Sequence, residues 1–375
     1  MNPVHGPGSR LGIMGGGQLG RMLALAARRL GYGVHVFAPG GGSPAGAVAD
    51  AEEAAGYDNE EAVRRFAAGV DALTFEFENV PADTVRWASE HCVVRPDARA
   101  LAVAQNRIRE KTFLADGGFP VAPWAEVTDA AGLATAAAHL GFPSVLKTAE
   151  SGYDGKGQLK LPGPGDLASA DLPPFPGVLE AWVPFAREIS VVLARGADGS
   201  FAVFPVAENI HHRHILDCSI VPARIDPAVA RRAGELASAV AARLDFTGVL
   251  AVEMFVQADG NLLVNEIAPR PHNSGHYTLD ACVTDQFEQQ LRAVCGLPLG
   301  SPELRSPCAM ANVLGDWWAD GEPDWAAVAG FGDVKIHLYG KDRALPGRKM
   351  GHLTVLGATA DAALERVRAA RAALC

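Results

Sequence analysis

Glu253 and Glu266 stand in two apolar stretches, Val249 to Val256 and Leu262 to Ile267, that flank Asp259-Gly260. Asp-Gly between two such runs is a signal for a two-residue hairpin. Pairing Ala258 with Asn261 then sets Glu253 opposite Glu266, on a ribbon otherwise built from Leu250, Val252, Met254, Leu263, Val264 and Ile267. Like charges directly opposed are destabilising, and apolar neighbours add desolvation. A divalent cation between the carboxylates removes both conflicts. Two solvent-facing acids on an edge hairpin are the simpler alternative, but Asn265 and the run Ala268-Pro269-Arg270-Pro271-His272-Asn273-Ser274 gather more polar groups at the same end.

A second chemical feature is Ser151-Gly152-Tyr153-Asp154-Gly155-Lys156-Gly157-Gln158, which follows an apolar run, Ser144 to Thr148, containing Lys147. It has neither the spacing nor the hydroxyl of a Walker phosphate loop. A glycine loop with one lysine, beside a strand lysine, still suits a nucleotide's phosphates through backbone N–H groups and point charges. Oxygen-only ligands next to such a loop favour Mg²⁺, with Mn²⁺ as a substitute.

The third feature, Gly15-Gly16-Gly17-Gln18-Leu19-Gly20, satisfies the dinucleotide fingerprint between a strand and a helix. A nicotinamide cofactor also needs an acid about 20 residues on to hold its ribose. Here the next strand ends in Phe37-Ala38-Pro39-Gly40 and the next acid is Asp50, which argues against a dehydrogenase. The helix N-terminus still favours an anion such as a phosphate.

These residues need elements to hold them. Alternating strands and helices, Leu11 to Met14, Gln18 to Leu30, Gly33 to Phe37 and Ala72 to Phe77, predict a parallel α/β domain over residues 1–104. A helix from Asn106 to Gly117 opens the central region, 105–300, whose smaller lobe spans about 120–185; a long helix runs from Pro227 to Leu244. Residues 301–375 predict a small β-rich domain ending in a helix from Asp361 to Leu374. The fold class is therefore α/β with α+β character. A net charge of -10 argues against a nucleic-acid surface, which wants clustered cations. No apolar run approaches a membrane span and no signal peptide is legible, so a cytoplasmic enzyme is expected. Six scattered cysteines lack zinc spacing.

In order along the chain, the stretches Gly15 to Met22, Thr74 to Val80, Gln105 to Lys111, Gly152 to Gln158, Glu208 to His211, Asn265 to His276 and Gly347 to His352 resemble the ATP-grasp enzymes of purine biosynthesis. The resemblance is closest to the N5-carboxyaminoimidazole ribonucleotide synthase family. It implies an ATP-grasp fold with a Rossmann-like domain before it, and ATP- and bicarbonate-dependent carboxylation of 5-aminoimidazole ribonucleotide by a homodimer, without nucleic-acid or membrane partners. It implies ATP contacts from Arg107, Lys147, Gly152, Tyr153, Asp154, Gly155, Lys156, Gly157, Gln158, Glu180, Ala181, Trp182, Val183, Glu188, His211, Asn265 and Glu266. The metal falls to Glu253 and Glu266. The ribonucleotide falls to Gln18, Leu19, Glu76, Tyr153, Asn273, Lys341, Arg348 and Lys349, with the first glycine loop and the cations holding its phosphate. Arg270, His272 and Asn273 hold bicarbonate, and Asp154 or His272 serves as base, so that Asp154, Arg270, His272, Asn273 and Lys341 form the catalytic set.

Ser151 and His214 depart from the family's usual glycines. His211, His212 and His214 read as loop histidines, not a metal site. A formate-dependent glycinamide ribonucleotide transformylase of the same fold shares part of the pattern; the stretches at Thr74 and Gly152 favour the carboxylase. A nucleotide-binding sensor without catalysis is the remaining alternative.

Overall fold

The computed structural model of the chain describes residues 4–150, 152, 155–168 and 171–375, so the expectations for Tyr153 and Asp154 lie outside the described residues. The first unit contains β1 (Arg10–Met14), α1 (Gln18–Arg29), β2 (Gly33–Phe37), β3 (Ala51–Glu53), α2 (Glu60–Ala68), β4 (Ala72–Phe75), α3 (Ala82–Ser89) and β5 (Val93–Val94). Its strands form a parallel sheet in the order β3-β2-β1-β4-β5. The apolar residues of β1 are fully buried, and α1 adds Met22, Leu23, Ala26 and Ala27 at helical spacing to the same core. β4 ends at Phe75, short of the expected Phe77, where Glu76 turns its carboxylate toward the glycine loop.

Two helices, α4 (Ala98–Ala104) and α5 (Arg107–Asp116), lead into the middle of the chain. Asn106 caps α5 by accepting from the amides of Ile108 and Arg109. Then come β6 (Trp124–Val127), α6 (Ala130–Leu140), β7 (Ser144–Thr148), β8 (Gln158–Leu161) and β9 (Gly177–Ala181). These strands make a four-stranded antiparallel sheet, β6-β9-β7-β8, with Leu133, Ala136 and Ala137 of α6 packed against it.

The third sheet is the largest. Its strands are β10 (Phe185–Arg195), β11 (Phe201–Val203), β12 (Ala207–His212), β13 (Ile215–Val221), β14 (Gly248–Gln257), β15 (Leu262–Ala268), β16 (Cys308–Leu314), β17 (Val334–Leu338) and β18 (Lys349–Leu356). The order is β15-β14-β10-β12-β13-β16-β18-β17, with β11 on β10. Residues 301–375 therefore do not close a sheet of their own: β16 pairs with β13, and the C-terminal strands extend the central sheet. The helix α7 (Pro227–Arg243) lays Val229, Ala233, Ala237 and Val240 on β10 and β14. After the short α8 (Thr278–Ala281), α9 (Gln286–Cys295) sends Phe287, Leu291 and Val294 into the N-terminal core beside α1. The chain closes with α10 (Trp325–Ala329) and α11 (Ala360–Ala372). All six cysteines are free, and four are buried.

Candidate active site

Glu253 on β14 and Glu266 on β15 are cross-strand partners. The turn is not the two-residue one expected: Gln257 donates to the Asn261 carbonyl at 2.9 Å and Gly260, at φ +82°, donates to Gln257 at 2.9 Å, so three residues form the loop. That shifts the register by one, and Met254 faces Val264. A β-bulge at Asn265 shifts it back, which is why the carboxylates meet. Each already has a nitrogen partner. Glu266 accepts from Arg107 Nη1 at 3.0 Å, and Glu253 lies 3.1 Å from His272 Nε2.

β15 is the edge strand, and the helix α5 covers its open side. Lys111 Nζ donates to the Asn265 carbonyl at 3.0 Å, the Ile267 amide donates to Glu110 at 2.6 Å, and the Val264 amide reaches Pro120 O at 2.7 Å. Arg107, Glu110 and Lys111 are spaced i, i+3, i+4, so one helix face carries all three. Burial lifts Glu110 to about 7 against the opposing charge of Arg107.

Lys147 on β7 reaches Glu180 Oε2 at 3.0 Å and Asn265 Oδ1 at 3.4 Å. Lys111 lies 3.3 Å from the other Glu180 oxygen. Burial opposes the Glu180 charge, but Lys147 and Lys111 hold it down to about 2, and burial lowers Lys147. With cations at both oxygens, Glu180 is ionised, and its side chain orients the lysines. The segment after it crosses from the small sheet to β10: Ala181 N donates to Pro123 O at 2.9 Å, Trp182 N donates to Pro143 O at 3.1 Å, and Val183 is buried. The Trp182 ring is half exposed, with Lys160 Nζ 3.7 Å from its centroid. Gly152, Gly155, Lys156 and Gly157 lie between β7 and β8; Thr148 N donates to Gly157 O at 2.8 Å, and Gln158 Nε2 is 3.3 Å from His214 Nδ1.

His211 Nδ1 contacts the Glu188 carboxylate across adjacent strands. Burial disfavours its charge, yet Glu188, with Glu253 beyond, raises its pKa above the usual value. His272 has both ring nitrogens engaged: Nε2 at Glu253, and Nδ1 2.8 Å from Ser274 Oγ. Ser274 Oγ accepts from Ser190 at 2.7 Å, Ser190 accepts from Asn209 Nδ2 at 2.9 Å, and Ser219 donates to Asn209 Oδ1 at 2.9 Å. A buried polar chain thus fixes the imidazole behind Glu253.

On the far side, Gly17 N and Gly20 N both donate to Glu76, the latter at 2.8 Å. The glycines of the first loop make room for this carboxylate, since a Cβ on Gly17 would lie 2.5 Å from Glu76 Oε1. These two amides therefore serve a carboxylate, where the sequence pointed to a phosphate. Burial raises the Glu76 pKa despite those amides and the charges of Arg270 and Lys341. Lys341 Nζ donates to Gln18 Oε1 at 2.5 Å and to the Lys349 carbonyl at 2.6 Å, so Gln18, Lys341 and Lys349 are brought together. The Leu19 side chain packs on the N-terminal core, and Arg348 Nη1 turns to Arg343 O at 2.9 Å. Asn273 exchanges two side-chain hydrogen bonds with Asn312, at 3.0 and 2.7 Å. Beside these cations His276 and His352 are fully buried, and burial first, then neighbouring positive charge, lowers both pKa values.

Sequence reasoning passed over Glu78, Glu110 and Lys111 although all three lie in stretches that carried the resemblance. Their only signal was charge where a sheet-packing helix or a strand end should be apolar.

The fold has its counterpart in known proteins. The ATP-grasp domain pattern matches residues 112–287, preceded by the ribonucleotide synthetase preATP-grasp domain at 9–105 and followed by the phosphoribosylaminoimidazole carboxylase C-terminal domain at 308–366. The chain is an ATP-dependent ligase of the ATP-grasp class. It is 45% identical to the N5-carboxyaminoimidazole ribonucleotide synthase of Bacillus subtilis over 96% of this chain and 95% of that one. The chain belongs to the N5-carboxyaminoimidazole ribonucleotide synthase family. A crystal structure of a synthetase of that name as an ADP complex matches 99% of this chain and 98% of its own at 44% identity, with a TM-score of 0.92. One from Aspergillus clavatus, with ADP and 5-aminoimidazole ribonucleotide, matches 98% of each chain at 31% identity and a TM-score of 0.88.

Proposed function

We propose that this enzyme uses ATP and bicarbonate to convert 5-aminoimidazole ribonucleotide to N5-carboxyaminoimidazole ribonucleotide, a step of purine biosynthesis. The observation that carries this reading is the facing pair Glu253 and Glu266 beside Lys147, with Gln18, Glu76 and Lys341 gathered at the first glycine loop and Arg270 under the charge of both Glu76 and Glu266. Bicarbonate oxygen attacks the γ-phosphorus, the bond to the β-bridging oxygen breaks, and ADP and carboxyphosphate result. The exocyclic amine then attacks the carboxyl carbon, directly or as CO₂ set free inside the site; phosphate leaves, and a base takes the amine proton.

Lys147 and Arg107 offset charge on the transferring phosphoryl group. The loop at 152–158 covers the phosphates and excludes water, while Glu180, Ala181, Trp182, Val183, Glu188 and His211 take the adenosine. Mg²⁺, or Mn²⁺ in its place, suits the oxygen donors of Glu253, Glu266 and Asn265, and when bound it stabilises negative charge on the phosphate oxygens. Gln18, Leu19, Glu76, Tyr153, Asn273, Lys341, Arg348 and Lys349 take the ribonucleotide, and Arg270, His272 and Asn273 the bicarbonate. Because both His272 nitrogens are engaged, Asp154 is the stronger candidate for base. Among the described residues no helix is long and apolar enough to cross a membrane. The family resemblance supports a cytoplasmic homodimer.

The test is ADP release with aminoimidazole ribonucleotide and bicarbonate against glycinamide ribonucleotide and formate. We expect turnover with the first pair; turnover only with the second would make the enzyme a transformylase.

A further inference from the structure

We propose that Lys111 is a positioning residue for phosphoryl transfer, one that locks the Asn265 bulge from behind and thereby keeps Glu253 and Glu266 facing each other. The inference deepens the reading above and rests on those two carboxylates being the metal ligands.

Lys111 is fully buried, so any effect it has passes through its partners. An ammonium in the interior is costly unless it is paired and hydrogen-bonded. Its contacts are the outward carbonyl of Asn265 at 3.0 Å and Glu180 Oε1 at 3.3 Å. Asn265 is the extra residue of β15, and an extra residue in a bulge is left outside the ladder. Without it the register of Met254 with Val264 would continue, Glu253 would face residue 265, and the Glu266 side chain would turn to the opposite face of the sheet. The facing carboxylates therefore exist only while the bulge does. The Pro120 carbonyl at Val264 and Glu110 of α5 at Ile267 hold the strand on either side of it, but only Lys111 takes the carbonyl of the extra residue among the bonds described.

The second contact works on Lys147. Glu180 is shared between two ammonium groups, one at each oxygen, so the three together keep a surplus positive charge. Had Glu180 only Lys147 to face, the pair would be neutral and Lys147 would have less attraction left for a phosphate. One buried lysine thus sets both the carboxylate pair and the charge of the lysine beside it.

The test is Mn²⁺ binding in the presence of ADP, followed by electron paramagnetic resonance, on the wild type, Glu266→Gln and Lys111→Met. We expect Glu266→Gln to lose Mn²⁺, and Lys111→Met to bind it about tenfold or more weakly, the size typical when a partner behind a metal ligand is removed. The Lys111 variant should also lose kcat while its KM for the ribonucleotide stays unchanged. Destabilisation alone would lower the melting temperature and leave the Mn²⁺ affinity of the folded protein intact. Wild-type Mn²⁺ affinity in Lys111→Met, with Glu266→Gln impaired, overturns the proposal and leaves the metal assignment standing. Unchanged Mn²⁺ binding by Glu266→Gln instead removes that assignment and this inference with it. Because losing Lys111 leaves the buried Glu180 Oε1 without a partner and can unfold the single variant, Lys111→Met is also paired with Glu180→Gln. Compared with Glu180→Gln alone, each at saturating ADP, the double variant should keep the weakened Mn²⁺ binding, and full recovery to the Glu180→Gln level would overturn the role given to the Asn265 carbonyl.

Discussion

Arg270 clasps Glu78 with two guanidinium nitrogens, Nε on one carboxylate oxygen and Nη2 on the other at 3.0 Å, joining the polar run after β15 to the loop after β4. Burial disfavours the Glu78 charge, but Arg270 overrides it and holds the pKa down to about 2, against an ordinary 4.5. A carboxylate whose pKa is depressed on folding contributes stability above its unfolded pKa and loses it as pH falls through the folded one. We therefore expect Glu78→Gln to lower the melting temperature at neutral pH, and the gap to the wild type to close between about pH 4.5 and pH 2. A gap that stays constant across that window would show that the ion pair is not its source.

Gly15 adopts φ +113°, and a Cβ there would lie 2.1 Å from Glu76 Cγ. Gly15→Ala should therefore both strain the backbone and push Glu76 off the amides of Gly17 and Gly20. The expected cost is about 1–3 kcal/mol in denaturant unfolding, with a raised KM for the ribonucleotide. A stable variant with wild-type kinetics would mean that Glu76 need not sit where it does.

Lys341 ties Gln18 of α1 to the carbonyl of Lys349. Its removal also takes away an ammonium that can donate to the ribonucleotide phosphate, a charged hydrogen bond of about 1.5–3 kcal/mol, roughly 10- to 150-fold in binding. Lys341→Ala should raise the KM for the ribonucleotide by that factor and change the KM for ATP much less. Equal effects on both would put Lys341 outside the ribonucleotide site.

His211 is held above its ordinary pKa by Glu188, against the effect of burial. A raised histidine pKa gives stability that is complete below the unfolded value of 6.5 and is lost as pH rises through the folded value. Glu188→Gln should lower the His211 pKa in an NMR titration and weaken ATP binding most on the acid side of neutrality. An unmoved titration would assign the shift to Glu253 instead.

The N-terminal sheet and the helix α7 were legible because their apolar residues recur at the periods of strand and helix. The helix α5 was legible only as a helix. Its face toward β15 carries Arg107, Glu110 and Lys111, and charges in a helix read as a solvated surface until something is packed against them. Likewise the first glycine loop announces a close approach without saying by what; the occupant of its amides, Glu76, directly follows β4, which lies beside β1 only in the folded sheet.

Local chemistry along the chain determined the elements, the hairpin and the residue types of the site. The facing of Glu253 and Glu266 was reached from the sequence by counting across a two-residue turn, yet the protein arrives there by a three-residue turn and a compensating bulge. Which side of a strand a residue faces depends on every residue between it and the turn, so one unseen insertion reverses it. That bulge is held by Lys111, 154 residues away along the chain, and no local pattern contains it. Tertiary structure alone decided it.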